Sequence, residues 1–84
     1  MAAIVATPGT IGGKPRIDGH RIGVNHIAIW HEQMGMDIDE IMAEFDLTRD
    51  EVQSALDYYA AHRSEIDMII AEEERIVAQI RSGV

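Results

Sequence analysis

This sequence predicts a mainly α fold: a three- to four-helix bundle containing a helix-turn-helix, preceded by a short N-terminal β-hairpin or extended segment. Three observations carry that reading. Apolar residues recur at helical spacing from Val24 to the C-terminus. Two capping boxes follow one another within fifteen residues, at Asp37 and Thr48. Both prolines and five of the seven glycines fall in the first 23 residues, so whatever is not helical lies there.

The elements follow in order. Residues 4–7, "IVAT", are β-prone and are ended by Pro8-Gly9. "KPRIDGHRI" then offers two short extended pieces around Asp18-Gly19, a pair suited to a tight hairpin turn with positive φ at both central positions. Pro15 lacks an N–H donor, which predicts an edge strand. The opening is a hairpin or a strand-loop-strand leading into a helix. Asn25 is placed to cap a very apolar helix that runs to Met34 and stops at Gly35.

Asp37 with Glu40, and Thr48 with Glu51, are the two capping boxes, flanked by the staple pairs Met36–Ile41 and Leu47–Val52. Ile38, Ile41, Met42 and Phe45 form the buried stripe of the first capped helix. Val52, Ala55, Leu56, Tyr59 and Ala60 form that of the second. A short helix, a brief turn and a longer helix make a helix-turn-helix arrangement.

Beyond Tyr59 the period continues. Positions 52, 56, 59, 63, 66, 70, 73, 77, 80 and 84 alternate steps of four and three, and all but Arg63 and Glu73 are apolar. That is a coiled-coil-like seam. Either one long helix carries it, or the chain bends near residues 62–64 with Ser64 capping a new helix; the bend is favoured. Residues 1–63 form the hairpin and helix-turn-helix core, and residues 64–84 a C-terminal amphipathic helix of the same single domain. At 84 residues the chain is near the lower limit for a self-sufficient core. The outer half of the seam therefore predicts a homodimer or larger homo-oligomer.

Charge divides the chain. Residues 1–31 hold Lys14, Arg16 and Arg21 against Asp18, a net +2, whereas residues 32–84 hold four arginines against fourteen carboxylates, a net −10. Such acidity opposes nonspecific binding to nucleic acid and favours basic partners. Any contact with DNA would use Lys14, Arg16 and Arg21 in front, with Arg49 and Gln53 at the start of the second capped helix as base readers. Asp50, Glu51 and Asp57 would repel phosphates there. Ile66, Ile70, Glu73, Val77 and Ile80 are the candidate partner-binding residues. Among them Glu73, a carboxylate within the apolar seam, needs a cationic partner or an exposed position, and its functional reading is a contact to a basic residue of a partner.

Catalysis is not indicated. The chain has no cysteine, no serine is placed beside an evident base, and His26 and His31, five apart, match no metal-ligand spacing. "GTIGGK" lacks the phosphate-loop spacing because Pro15 follows Lys14. No enzyme activity, metal or cofactor is expected. No apolar run approaches a membrane span and no signal peptide is evident, so the expected location is the cytoplasm.

Taken together, "GGKPRIDGHRIGV", "GMDIDEIMAEFD" and "LTRDEVQSALDYYAAHRSEID" resemble the bacterial family known as domain of unknown function 433, over roughly residues 4 to 67. One departure is His20, where the family usually has threonine. The resemblance implies a three-helix, homeodomain-like fold, similar to type II antitoxins. It further implies an antitoxin that masks a PIN-like ribonuclease toxin and, in some members, represses its own operon through operator DNA. The alternative, from the residues alone, is a dimeric interaction module that never touches nucleic acid.

Overall fold

The computed structural model of the chain describes residues 2–82; Val84, the last position of the seam, lies outside them. Two strands, β1 (Ile4–Val5) and β2 (Arg16–Ile17), precede four helices, α1 (Val24–Ala28), α2 (Ile38–Phe45), α3 (Arg49–Ala61) and α4 (Arg63–Ser82). The mainly helical architecture with N-terminal strand pairing is the one the sequence predicts.

The opening segment is a strand-loop-strand. β1 pairs antiparallel with β2, Ile4 opposite Ile17 and Val5 opposite Arg16. The Asp18-Gly19 turn forms, with the His20 N–H donating to the Ile17 carbonyl (3.0 Å). Its type differs from expectation: Gly19 has φ +85° while Asp18 keeps a negative φ, the pattern of a type II turn. The returning arm shrinks to a single bridge, Arg16 opposite Gly23. β2 thus remains a strand of a two-stranded sheet, with this one bridge on the side away from β1. Pro15 is tolerated because it sits just outside β2, and only its carbonyl is used, accepting the Val24 N–H (3.0 Å).

α1 starts two residues early, with Gly23 in the capping position. Asn25 is thus not a cap; it is the second helical residue and is 1% exposed. The His26 ring closes the first turn instead, its Nδ1 accepting the Gly23 N–H (2.9 Å). α1 then widens into a π turn over Ile29–Gln33, and Gly35 ends it as expected.

Both capping boxes are present. Asp37 Oδ1 accepts the Glu40 N–H (2.8 Å) and Glu40 Oε1 accepts the Asp37 N–H (3.1 Å). Thr48 and Glu51 repeat the exchange at 3.1 and 2.9 Å. Glu51 also meets His20 Nε2 at 2.7 Å. The Thr48 N–H, aided by His20, holds the Glu51 carboxyl below its ordinary value of 4.5.

The core draws on every layer. Ile17 of β2, Val24 and Ile27 of α1, Ile41 of α2, Val52 of α3 and Ile66 of α4 are completely buried. Trp30 and Phe45 stack at 3.6 Å between ring centres and cover one flank. Ala60 is exposed and leaves the predicted stripe of α3, because Ala55 and Tyr59 already take the inward positions of that turn.

The chain bends where expected, at His62 (φ −130°, ψ 42°). Ser64 is not the cap, however. α4 begins at Arg63, and the His62 carbonyl accepts the Ile66 N–H (3.0 Å). The paired tyrosines fasten this corner from the α3 side. The Tyr59 hydroxyl donates to Asp67 (2.7 Å) and the Tyr58 hydroxyl to Glu65 (3.5 Å). Arg63 lies over the Tyr59 ring, 4.7 Å from its centre, and donates to Glu32 (2.7 Å).

Burial, with help from the Asp67 hydrogen bond, pushes the Tyr59 phenol up from 10.0 to about 12. An unfolded tyrosine ionises first as pH rises, so the contribution of Tyr59 to stability is complete below pH 10.0 and is lost as pH climbs toward about 12. Alkaline titration followed at the tyrosinate absorbance should show Tyr59 ionising together with loss of helical circular dichroism. Tyr59→Phe should make the stability less steep in that window.

Candidate functional site

α4 is half inside the protein and half outside it. Its apolar face runs from Ile66 through Ile70 to Val77 and Ile80, one turn after another. Exposure along that face climbs from 0% at Ile66 and 7% at Ile70 to 46% at Val77 and 67% at Ile80. The pattern of residues does not change at Ile70. What ends there is the body of the protein that covers them.

Glu73 marks the crossing. Its Oε1 accepts a hydrogen bond from Asn25 Nδ2 (2.7 Å) and another from Lys14 Nζ (3.3 Å). A half-buried carboxylate needs such donors to offset its desolvation. Glu73 thus finds its cation in the same chain. The glycine-rich front segment builds this socket. Ile11, Gly12 and Gly13 all take positive φ, a left-handed turn that delivers Lys14 to α4. Gly23 faces Asn25 so closely that a Cβ there would sit 2.2 Å from Asn25 Oδ1.

Two shallow grooves flank the crossing. One, of roughly 390 Å³, lies between the front segment and α4, with Ile11, Lys14 and His26 facing Ile76 and Val77. The other, of roughly 350 Å³, runs beside Ile29 and carries Glu74, Val77, Ala78 and Arg81 of α4. Both are mainly apolar, with charges at the rims.

The five residues read as nucleic-acid contacts do not form one cationic face. Lys14 is paired with Glu73. Arg16 is folded back onto the His20 carbonyl (3.0 Å), the Ile17 carbonyl (3.4 Å) and Thr7 Oγ1 (3.0 Å). Arg49 pairs with Asp39, and Gln53 donates to Asp57 (3.0 Å). Arg21 is exposed and makes no ion pair among the described residues. Of the partner-binding set, Ile66 and Ile70 are core residues with no surface to offer, which leaves Val77 and Ile80. Ile76 (45%) and Met68 (72%) are exposed apolar residues of α4 that the seam does not include. Asn25 and Gly23 were missed as socket residues; the signal for them is an amide placed in an otherwise apolar run, which must find a buried partner.

A family model described as "Protein of unknown function (DUF433)" matches residues 4–59, two thirds of the chain. The chain belongs to the DUF433 family. It is also similar to a solved DUF433 member protein from Anabaena variabilis, at 35% identity and a TM-score of 0.75. That alignment covers 81% of this chain and 67% of the other. No curated protein matches. In this DUF433 chain the matched residues end at Tyr59, so they include the front segment, Gly23 and Asn25 and stop before α4. Among the described residues, no helix is long and apolar enough to cross a membrane.

Proposed function

We propose that this DUF433 chain is a non-catalytic, antitoxin-like interaction module of the cytoplasm, whose docking element is α4 beyond Glu73. A single observation carries the proposal: the apolar face of α4 continues past the body, with Val77 and Ile80 exposed. Apolar side chains in a row anchor a protein partner, and the net charge of −8 on the whole chain favours a basic one. The family resemblance makes that partner a PIN-like ribonuclease toxin. A nuclease that binds RNA has a basic surface, which suits an acidic chain.

The engaged state of Lys14, Arg16, Arg49 and Gln53 favours the version in which the module does not bind operator DNA. Arg16 supports the front loop. Arg16→Ala should therefore lower stability by about 1–3 kcal/mol, in the range for charge-assisted hydrogen bonds, whereas Arg21→Ala should leave it unchanged within about 0.5 kcal/mol. Denaturant titration of the two variants checks this. Steep salt-dependent binding of upstream DNA, abolished by Arg21→Ala, would restore the DNA-binding version.

The docking role is tested by co-expression with the neighbouring gene product. Ile80→Asp alters only an exposed residue, so the fold should persist while copurification and growth rescue are lost. Rescue at the wild-type level by this variant would move the docking surface off α4.

A further inference from the structure

We infer that in the free protein the distal face of α4 is covered by the same face of a second copy, the two helices running antiparallel about a two-fold axis between Val77 and Ala78. The inference rests on the reading of α4 beyond Glu73 as a docking face, and it names the occupant of that face when no other partner is present.

Burial gives the first argument. The apolar face of α4 is continuous, yet only its first half is covered by this chain: Ile70 is 7% exposed and Val77 46%. A helix face that is core at one end and bare at the other is completed most simply by another such face.

Charge selects the second copy and its direction. Glu74 and Arg81 are seven residues apart, and therefore on one face of the helix, with Val77 and Ala78 between them. Both line the groove beside Ile29 and Ile70. Turning a second helix antiparallel about the midpoint sets each Glu74 opposite the other copy's Arg81. Two ion pairs then flank an apolar centre built from Val77 and Ala78 of both chains. A parallel pair would instead oppose Glu74 to Glu74 and Arg81 to Arg81, which is repulsive. Glu73 does not disturb the arrangement, since Lys14 and Asn25 already hold it. The antiparallel sense also sends the two bodies to opposite ends of the helix pair. A toxin that docks on the same residues does so by displacing the second copy.

The chain has no cysteine, so a single introduced thiol reports the geometry directly. Val77→Cys lies next to the proposed axis and should form a disulfide-linked dimer under mild oxidation. Met68→Cys, at 72% exposure in place of 46% but two and a half turns away on the opposite side of α4, should link at least about tenfold more slowly. Sedimentation of the free protein supplies the second arm. Glu74→Arg and Arg81→Glu should each weaken self-association by about tenfold, because symmetry doubles every lost pair. The double change should restore it. Equal linking at both cysteines, a double variant no better than either single one, or a wild type that sediments as a monomer at roughly tens of micromolar would overturn the inference. Failure of the docking role itself appears separately, as unaltered toxin copurification by Ile80→Asp.

Discussion

Ending the chain after Arg63 should unfold the whole protein. The seam read from sequence allows the opposite outcome, a helix-turn-helix core that survives without residues 64–84. Ile66 at 0% and Ile70 at 7% exposure argue against it, because both belong to the one core shared by β2, α1, α2 and α3. Removing a single buried isoleucine side chain costs about 2–5 kcal/mol. Small domains hold only about 5–15 kcal/mol in total, so loss of both leaves little or nothing. The truncated chain also loses the carboxylates that receive the Tyr58 and Tyr59 hydroxyls. Urea titrations followed by circular dichroism provide the test, with Ile66→Ala expected to lose about 2–5 kcal/mol and Met68→Ala, at an exposed position, no more than about 0.5 kcal/mol. A cooperative melt from the truncated chain would show that α4 is an appendage.

The second large effect belongs to Gly23→Ala. Gly23 has φ −81°, which any residue adopts, so backbone freedom does not explain the glycine. Space does. A Cβ would lie 2.2 Å from Asn25 Oδ1 and 3.1 Å from the Ile11 side chain, and Asn25 is buried and bonded to Glu73. Nothing there is a loose surface group that can swing aside. Overpacking of this kind costs about 1–3 kcal/mol. If Asn25 is pushed off Glu73, a charge-assisted bond worth about 1.5–3 kcal/mol goes with it. The cycle of Gly23→Ala with Asn25→Ala isolates the clash: the double variant should be less destabilised than the sum of the singles, since the colliding atoms are gone. Strict additivity, or a neutral Gly23→Ala, would remove the steric account.

The socket also resolves why a basic, glycine-punctuated segment precedes acidic helices. Lys14 and Arg16 are consumed inside the chain, one by Glu73 and the other by the Thr7–His20 loop. The glycines serve a left-handed turn and one tight approach. A stretch that resembles a nucleic-acid contact in composition reaches α4 in three dimensions, through Lys14.

Local chemistry was legible in the residues. The capping boxes at Asp37 and Thr48 close within four residues, so their hydrogen bonds hardly depend on anything distant. The strand pieces, the Gly35 stop, the stripe of α2 and the bend near His62 likewise follow from short-range sterics and period. The errors came where two segments far apart in sequence compete for one group. Asn25 has the right chemistry for a cap, and a carboxylate 48 residues away captures its amide instead. Asp18-Gly19 suits one turn type, but its returning arm is reduced to a single bridge at Gly23 and another type results.

By itself, then, the sequence determined that this is a mainly helical chain with a paired front segment and an apolar face along its last helix. Periodicity records which residues share a face. It cannot record how far the rest of the protein extends beneath that face, because coverage depends on the packing of β2, α1 and α3 against α4. Only the tertiary structure decided that Ile66 and Ile70 are core, that Val77 and Ile80 are surface, and that Glu73 stands at the boundary between them.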